Sequence, residues 1–110
     1  MSDISDQQFL QEADRLMQAL LARLDEFDPD ELEADSAAGV IKMAFADRSV
    51  CVLNRQTAAH QIWLAVGATA WHFEKDPSGV WMDTKERGPL ADVLGEILTS
   101  KLGRAIELAF

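Results

Sequence analysis

The 110-residue chain has a single cysteine, Cys51, which excludes an internal disulfide and a thiolate metal cluster within one copy. It also lacks a long apolar run. The longest, Ile62 to Trp71, contains Gly67 and Thr69 and falls well short of the roughly 20 residues a membrane-spanning helix needs. Asp3 and Asp6 stand where a secretory signal would carry Lys or Arg, and no apolar stretch follows, so no such signal is expected. Basic residues are scarce: ten Lys and Arg against nineteen Asp and Glu give a net charge of −9. That balance argues against nucleic acid and anionic membranes as partners and favours cations or basic proteins. A reducing, cytoplasmic compartment is the expectation that follows.

What is present suits one compact domain over residues 1–110, with 48% hydrophobic residues to build a core. The charge is unevenly spread. Residues 1–35 hold eleven acids against Arg15 and Arg23, whereas residues 36–110 hold eight acids and eight bases. All of the net charge therefore belongs to the first third of the chain.

Apolar spacing predicts the elements. Phe9, Ala13, Leu16, Leu20, Leu24 and Phe27 recur at steps of three and four, which predicts a helix from about Asp6 to Phe27. Ser5 and Gln8 suit a capping box at its start, and Pro29 ends it. An extended polar stretch over residues 30–39 leads to a turn at Ala38-Gly39. Ile41, Met43 and Phe45 then alternate as in a half-buried strand, and Asp47-Arg48-Ser49 connects to the apolar run Val50 to Leu53. Asn54 to Thr57 is expected to break that run, and His60 to Val66 to form the next strand. Trp71 to Glu74 and Val80 to Asp83 are expected as strands around an Asp76-Pro77-Ser78-Gly79 turn. Gly88 as N-cap and Pro89 as first helical residue open a second helix, which Gly103 stops. The order of a helix, five or six strands and a helix predicts an α+β two-layer sandwich. Both helices pack on one face of an antiparallel sheet, and the other face is open to water.

Asn54-Arg55-Gln56 followed by His60-Gln61-Ile62-Trp63-Leu64-Ala65 resembles the central-strand signature of bacterial frataxins. Trp71-His72-Phe73, Trp81-Met82-Asp83 and Arg23-Leu24-Asp25-Glu26-Phe27-Asp28 are similar to further family segments in the same order, so the likeness covers nearly the whole chain. The resemblance implies the frataxin-like sandwich and weak binding of ferrous or ferric iron along an acidic ridge, with no permanent cofactor. It also implies docking on the cysteine desulfurase and scaffold protein of iron–sulfur cluster assembly. Leu21 and Ala22 stand where bacterial members often place glutamates, which leaves the ridge poorer upstream.

Asp25, Glu26 and Asp28, with Asp30, Glu31 and the upstream Asp14, are the candidate metal ligands. Carboxylate oxygens suit hard or borderline cations, and a cation relieves their mutual repulsion. Taken alone, the same run could be a solvated face that keeps the chain soluble. Trp63 shares its parity with Gln61 and Ala65, so it points to the open face if Ile62 and Leu64 face the helices. There it either anchors a partner or covers neighbouring side chains. The resemblance favours a contact, with Asn54, Arg55 and Gln56 beside it. His60 and His72 have no recognised ligand spacing, and Cys51 is expected as a buried small hydrophobe. No catalytic residue is expected. The alternatives are a ferroxidase and iron-storage oligomer, or a metal-independent acidic interaction module; no Glu-x-x-His motif supports a di-iron site. A monomer that oligomerises with iron is the expected state.

Overall fold

The structure, a computed structural model, describes residues 5–110; Asp3 lies outside the described residues. Helix α1 spans Asp6–Leu24 and helix α2 Leu90–Leu102. Between them run β1 (Leu32–Ala37), β2 (Val40–Phe45), β3 (Val50–Gln56), β4 (Gln61–Val66), β5 (Thr69–Lys75) and β6 (Trp81–Asp83). The strands form one antiparallel sheet in sequential order, an open meander with β1 and β6 at its edges. Both helices pack on one face, as the paired apolar stripes and short connections predict.

The core lies between those layers. From the helices it takes Phe9, Ala13, Leu16, Leu20, Leu24, Leu90, Leu94 and Leu98. From the sheet it takes Ile41, Met43, Cys51, Leu53, Ile62, Leu64 and Phe73, all buried. Cys51 is the packed hydrophobe expected, and burial pushes its thiol up to about 12. Alternation sends Lys42, Val52, Asn54, Gln56, Trp63, Ala65, His72, Glu74 and Met82 to the opposite, uncovered face.

Several boundaries differ from the expectations. Helix α1 stops three residues early because its bonds tighten: Glu26 and Phe27 donate to the carbonyls of Arg23 and Leu24, a three-residue step. Phe27 still reaches the core, 7% exposed, from the turn rather than from the helix. The capping box is half made. Ser5 Oγ accepts from the Gln8 N–H at 3.1 Å, while the Gln8 side chain bonds Glu12 instead of turning back. Strand β3 runs on through Asn54-Arg55-Gln56, because those residues pair with Gln61 to Trp63 of β4. The break falls at the 3-10 turn Thr57–Ala59, and His60 is a left-handed residue (φ 53) ahead of β4 rather than its first member. Pro89, at ψ 155, caps α2 in place of Gly88. The tail bends back along α2, burying Ile106 while Phe110 remains 39% exposed.

Candidate functional site

The α1–β1 connection carries the acidic segment. Asp25 caps α1, Asp28 and Asp30 follow in an exposed turn, and Glu33 and Asp35 continue along the edge strand. The Asp30 N–H donates to Asp28 Oδ1 at 2.9 Å, which stiffens the turn. Among the described residues, Asp25, Asp28, Asp30, Glu33 and Asp35 have no ion-pair partner. Asp25, at the C-cap of α1, sits at the negative end of the helix dipole, where a carboxylate is unfavourable unless a positive charge compensates.

The six candidate ligands do not form one cage. Among the described residues no three His, Cys, Asp or Glu side chains converge to hold a single ion. Asp14 sits about three turns up α1 from Asp25 and is held by Gln18 Nε2 at 2.9 Å. Glu26 faces Arg23 at 3.9 Å. Glu31 is engaged by a forked pair from Arg104, which holds its carboxyl below the usual range. A partner seventy-three residues downstream leaves no local signal in the sequence, so this pairing was not foreseen. What remains is an open ridge of single carboxylates around Asp25, Asp28 and Asp30. Such a surface can take hydrated cations loosely and with little selectivity.

The second candidate surface is the uncovered sheet face. Trp63 is half-buried there, stacked on His72 with its indole N–H donating to Gln61 Oε1 at 2.8 Å. The ring therefore covers its neighbours on the sheet while one part of it stays open to solvent. Asn54 is its direct partner across β3–β4, and Gln56 lies on the same face. Arg55 does not. It shares the parity of Leu53 on the helix side, and its guanidinium lies against Gly39 in the β1–β2 turn. Grouping Arg55 with Trp63 is therefore corrected: alternation along β3 splits the three-residue segment between faces.

The histidines are apart in role. His60 stacks on Phe9 at 5.3 Å and sets Nε2 2.6 Å from Asp6, tying the start of α1 to the loop before β4. On the β6 edge strand Asp83, 2% exposed, accepts from the N–H groups of Lys85 and Arg87 and from the Arg87 guanidinium. Burial alone would raise its pKa; Arg87 and the two backbone donors together bring it below the ordinary value. This cluster orders the loop into α2, and no buried side-chain polar atom in it is left without a partner.

With that geometry described, comparison with known proteins is specific. The frataxin-like domain family matches residues 2–104. The iron–sulfur cluster assembly protein CyaY of Delftia acidovorans is 34% identical, the alignment covering 96% of this chain and 98% of that one. CyaY of Thioalkalivibrio sulfidiphilus is 36% identical over 98% of this chain and 100% of its own. Frataxin from Psychromonas ingrahamii superposes with a TM-score of 0.87 over 97% of this chain and all of that one, and its 21% identity speaks to the fold alone. Trimeric yeast frataxin, solved as a ferrous complex, gives a TM-score of 0.75 at 26% identity over 84% of this chain and 87% of that one. The chain belongs to the frataxin-like family.

Proposed function

We propose that this protein is a binding and regulatory component of iron–sulfur cluster assembly rather than an enzyme. It takes ferrous or ferric iron weakly on the ridge around Asp25, Glu26, Asp28 and Asp30, and it docks on the cysteine desulfurase and its scaffold protein in the cytoplasm. The observation that carries this reading is the placement of unpaired carboxylates at one end of an otherwise neutral sandwich. Its relatives' names as cluster-assembly proteins and the ferrous complex of yeast frataxin support the pathway and the metal. The same negative field steers the protein toward a basic patch on its partner, so iron on the ridge would weaken that steering.

The test is an anaerobic ferrous titration followed by amide resonances. Line broadening is expected at residues 25–35, and broadening centred elsewhere would count against the ridge. Replacing Asp25, Glu26 and Asp28 together by Asn should abolish the response. Recovery of the desulfurase from native lysate, with and without iron, tests the partner.

The trimeric state of the yeast relative favours one further reading, oligomerisation with oxidation of iron. Rapid, saturable oxygen consumption at sub-stoichiometric iron would support it over simple binding by a monomer.

A further inference from the structure

A groove of about 350 Å³ opens between α1, the end of the β5–β6 turn and the start of α2. Its floor is core, made by Leu16, Trp81 and Leu90, all buried. Its walls include Val80 and Phe110, 38% and 39% exposed. Among the described residues these are the two large apolar side chains left open to solvent, and both line the same groove. Single exposed apolar side chains are ordinary on a protein surface; two from separate segments over one shared floor form a concavity. Its volume falls within the range of small-ligand sites, about 300–1,000 Å³.

Three charged side chains line the groove: Glu12, Arg15 and Lys75. Glu12 and Lys75 neutralise each other at 2.8 Å, and Gln8 Nε2 also donates to Glu12 at 3.1 Å. Arg15, one turn further along α1, has no ion-pair partner among the described residues. The groove therefore carries one uncompensated positive charge, although eleven acids and only two bases occupy residues 1–35.

We propose that this groove binds a small amphipathic monocarboxylate, its aliphatic body on Leu16, Val80, Trp81 and Leu90 and its head on the Arg15 guanidinium. Apolar walls with one well-placed polar group are the usual make-up of a small-molecule site. The guanidinium fork matches the two oxygens of a carboxylate. A single surplus charge selects a monoanion. A dicarboxylate or a phosphate would bring a second negative charge against Glu12 and against the net charge of −9. None of Asp25, Glu26, Asp28 or Asp30 lines the groove, so the proposal stands independently of the iron-binding ridge.

The test is a titration of the full chain with octanoate and, separately, with 1-octanol, followed by amide resonances and read as dissociation constants. Octanoate is expected to shift residues 12–19, 79–81 and 89–91 saturably. Arg15→Gln should weaken octanoate about two- to fivefold and leave 1-octanol unchanged, with Arg15→Lys close to the parent. Val80→Asp, at an exposed position outside the core, should abolish both. Equal octanoate constants in the parent and Arg15→Gln overturn the recognition of a carboxylate. Shifts that do not saturate, or that centre away from the groove, overturn the site itself. Groove resonances that move with protein concentration before any ligand is added assign the groove to a second copy of the chain and overturn the proposal as well.

Discussion

Trp63 and His72 lie face to face across β4 and β5, ring centroids 4.3 Å apart and planes 10° from parallel. They are direct partners in the ladder, so the sheet itself sets the stack. The indole N–H is held by Gln61, whose amide in turn donates to Glu74 at 2.9 Å. The ring is thus presented in one orientation before any partner arrives, which lowers the ordering cost of docking. Trp63→Ala is expected to weaken desulfurase binding by about 2 kcal/mol or more, as for a central aromatic anchor. His72→Ala removes the stack, which should cost the fold about 0.5–1.5 kcal/mol and lower its thermal midpoint. It should weaken docking less than Trp63→Ala. Asn54→Ala and Gln56→Ala should weaken binding, whereas Arg55→Ala should not, because Arg55 leaves the sheet on the other side. Surface plasmon resonance on the five variants checks this ordering, and an unaffected Trp63→Ala would remove the face from the docking model.

Stability should fall on acidification below about pH 4. Glu12, Glu31, Asp47, Asp76 and Asp83 all titrate below their ordinary values in the fold. A depressed carboxylate contributes stability that is complete above its unfolded pKa and is lost as pH drops through the folded one. For Asp47, held down to about 2 by the Ser49 hydroxyl and N–H and then Lys101, that window runs from about 4 to about 2. Asp47→Asn should therefore be less stable than the parent at pH 7 and converge with it near pH 2. Urea midpoints across that range measure the convergence.

The β1–β2 turn is poorly matched to its sequence. Ala38 and Gly39 both have positive φ, 52° and 79°, in a two-residue loop between Ala37 and Val40. That is the type I′ geometry, which favours Asn-Gly, and Ala pays a steric penalty there. Ala38→Asn is expected to stabilise the domain by about 0.5–1 kcal/mol. Gly39→Ala should destabilise it, since a Cβ would fall 2.9 Å from the Arg55 guanidinium. Thermal midpoints of the two variants should move in opposite directions.

Cys51 supplies an internal reporter. It is fully buried in β3, and its thiol is pushed to about 12, so the native protein presents no thiolate at neutral pH. Labelling by a disulfide reagent should follow the rate of opening of the central sheet. Core truncation by Leu53→Ala, expected to cost about 2–5 kcal/mol, should accelerate it many-fold. Rapid labelling of the parent chain would contradict the burial.

The family segments and the alternation along β2 and β4 made the layer order legible without coordinates, since periodicity is a property of neighbours in sequence. The same logic placed Trp63 correctly on the open face and Ile62 and Leu64 inside. It misjudged β3, because Asn54, Arg55 and Gln56 look like a break when read alone and become strand only by pairing with β4. The acidic segment was equally visible, yet its division into unpaired and paired carboxylates was not.

By itself the sequence determined two helical stripes, a meander between them and a net charge confined to the first third, because each follows from local spacing and composition. Only the tertiary structure decided that Arg104 reaches Glu31, that Arg55 parts from Trp63, and that His72 stacks on Trp63. Those contacts join residues far apart in the chain or on opposite parities, and their geometry exists only once the sheet has set its register.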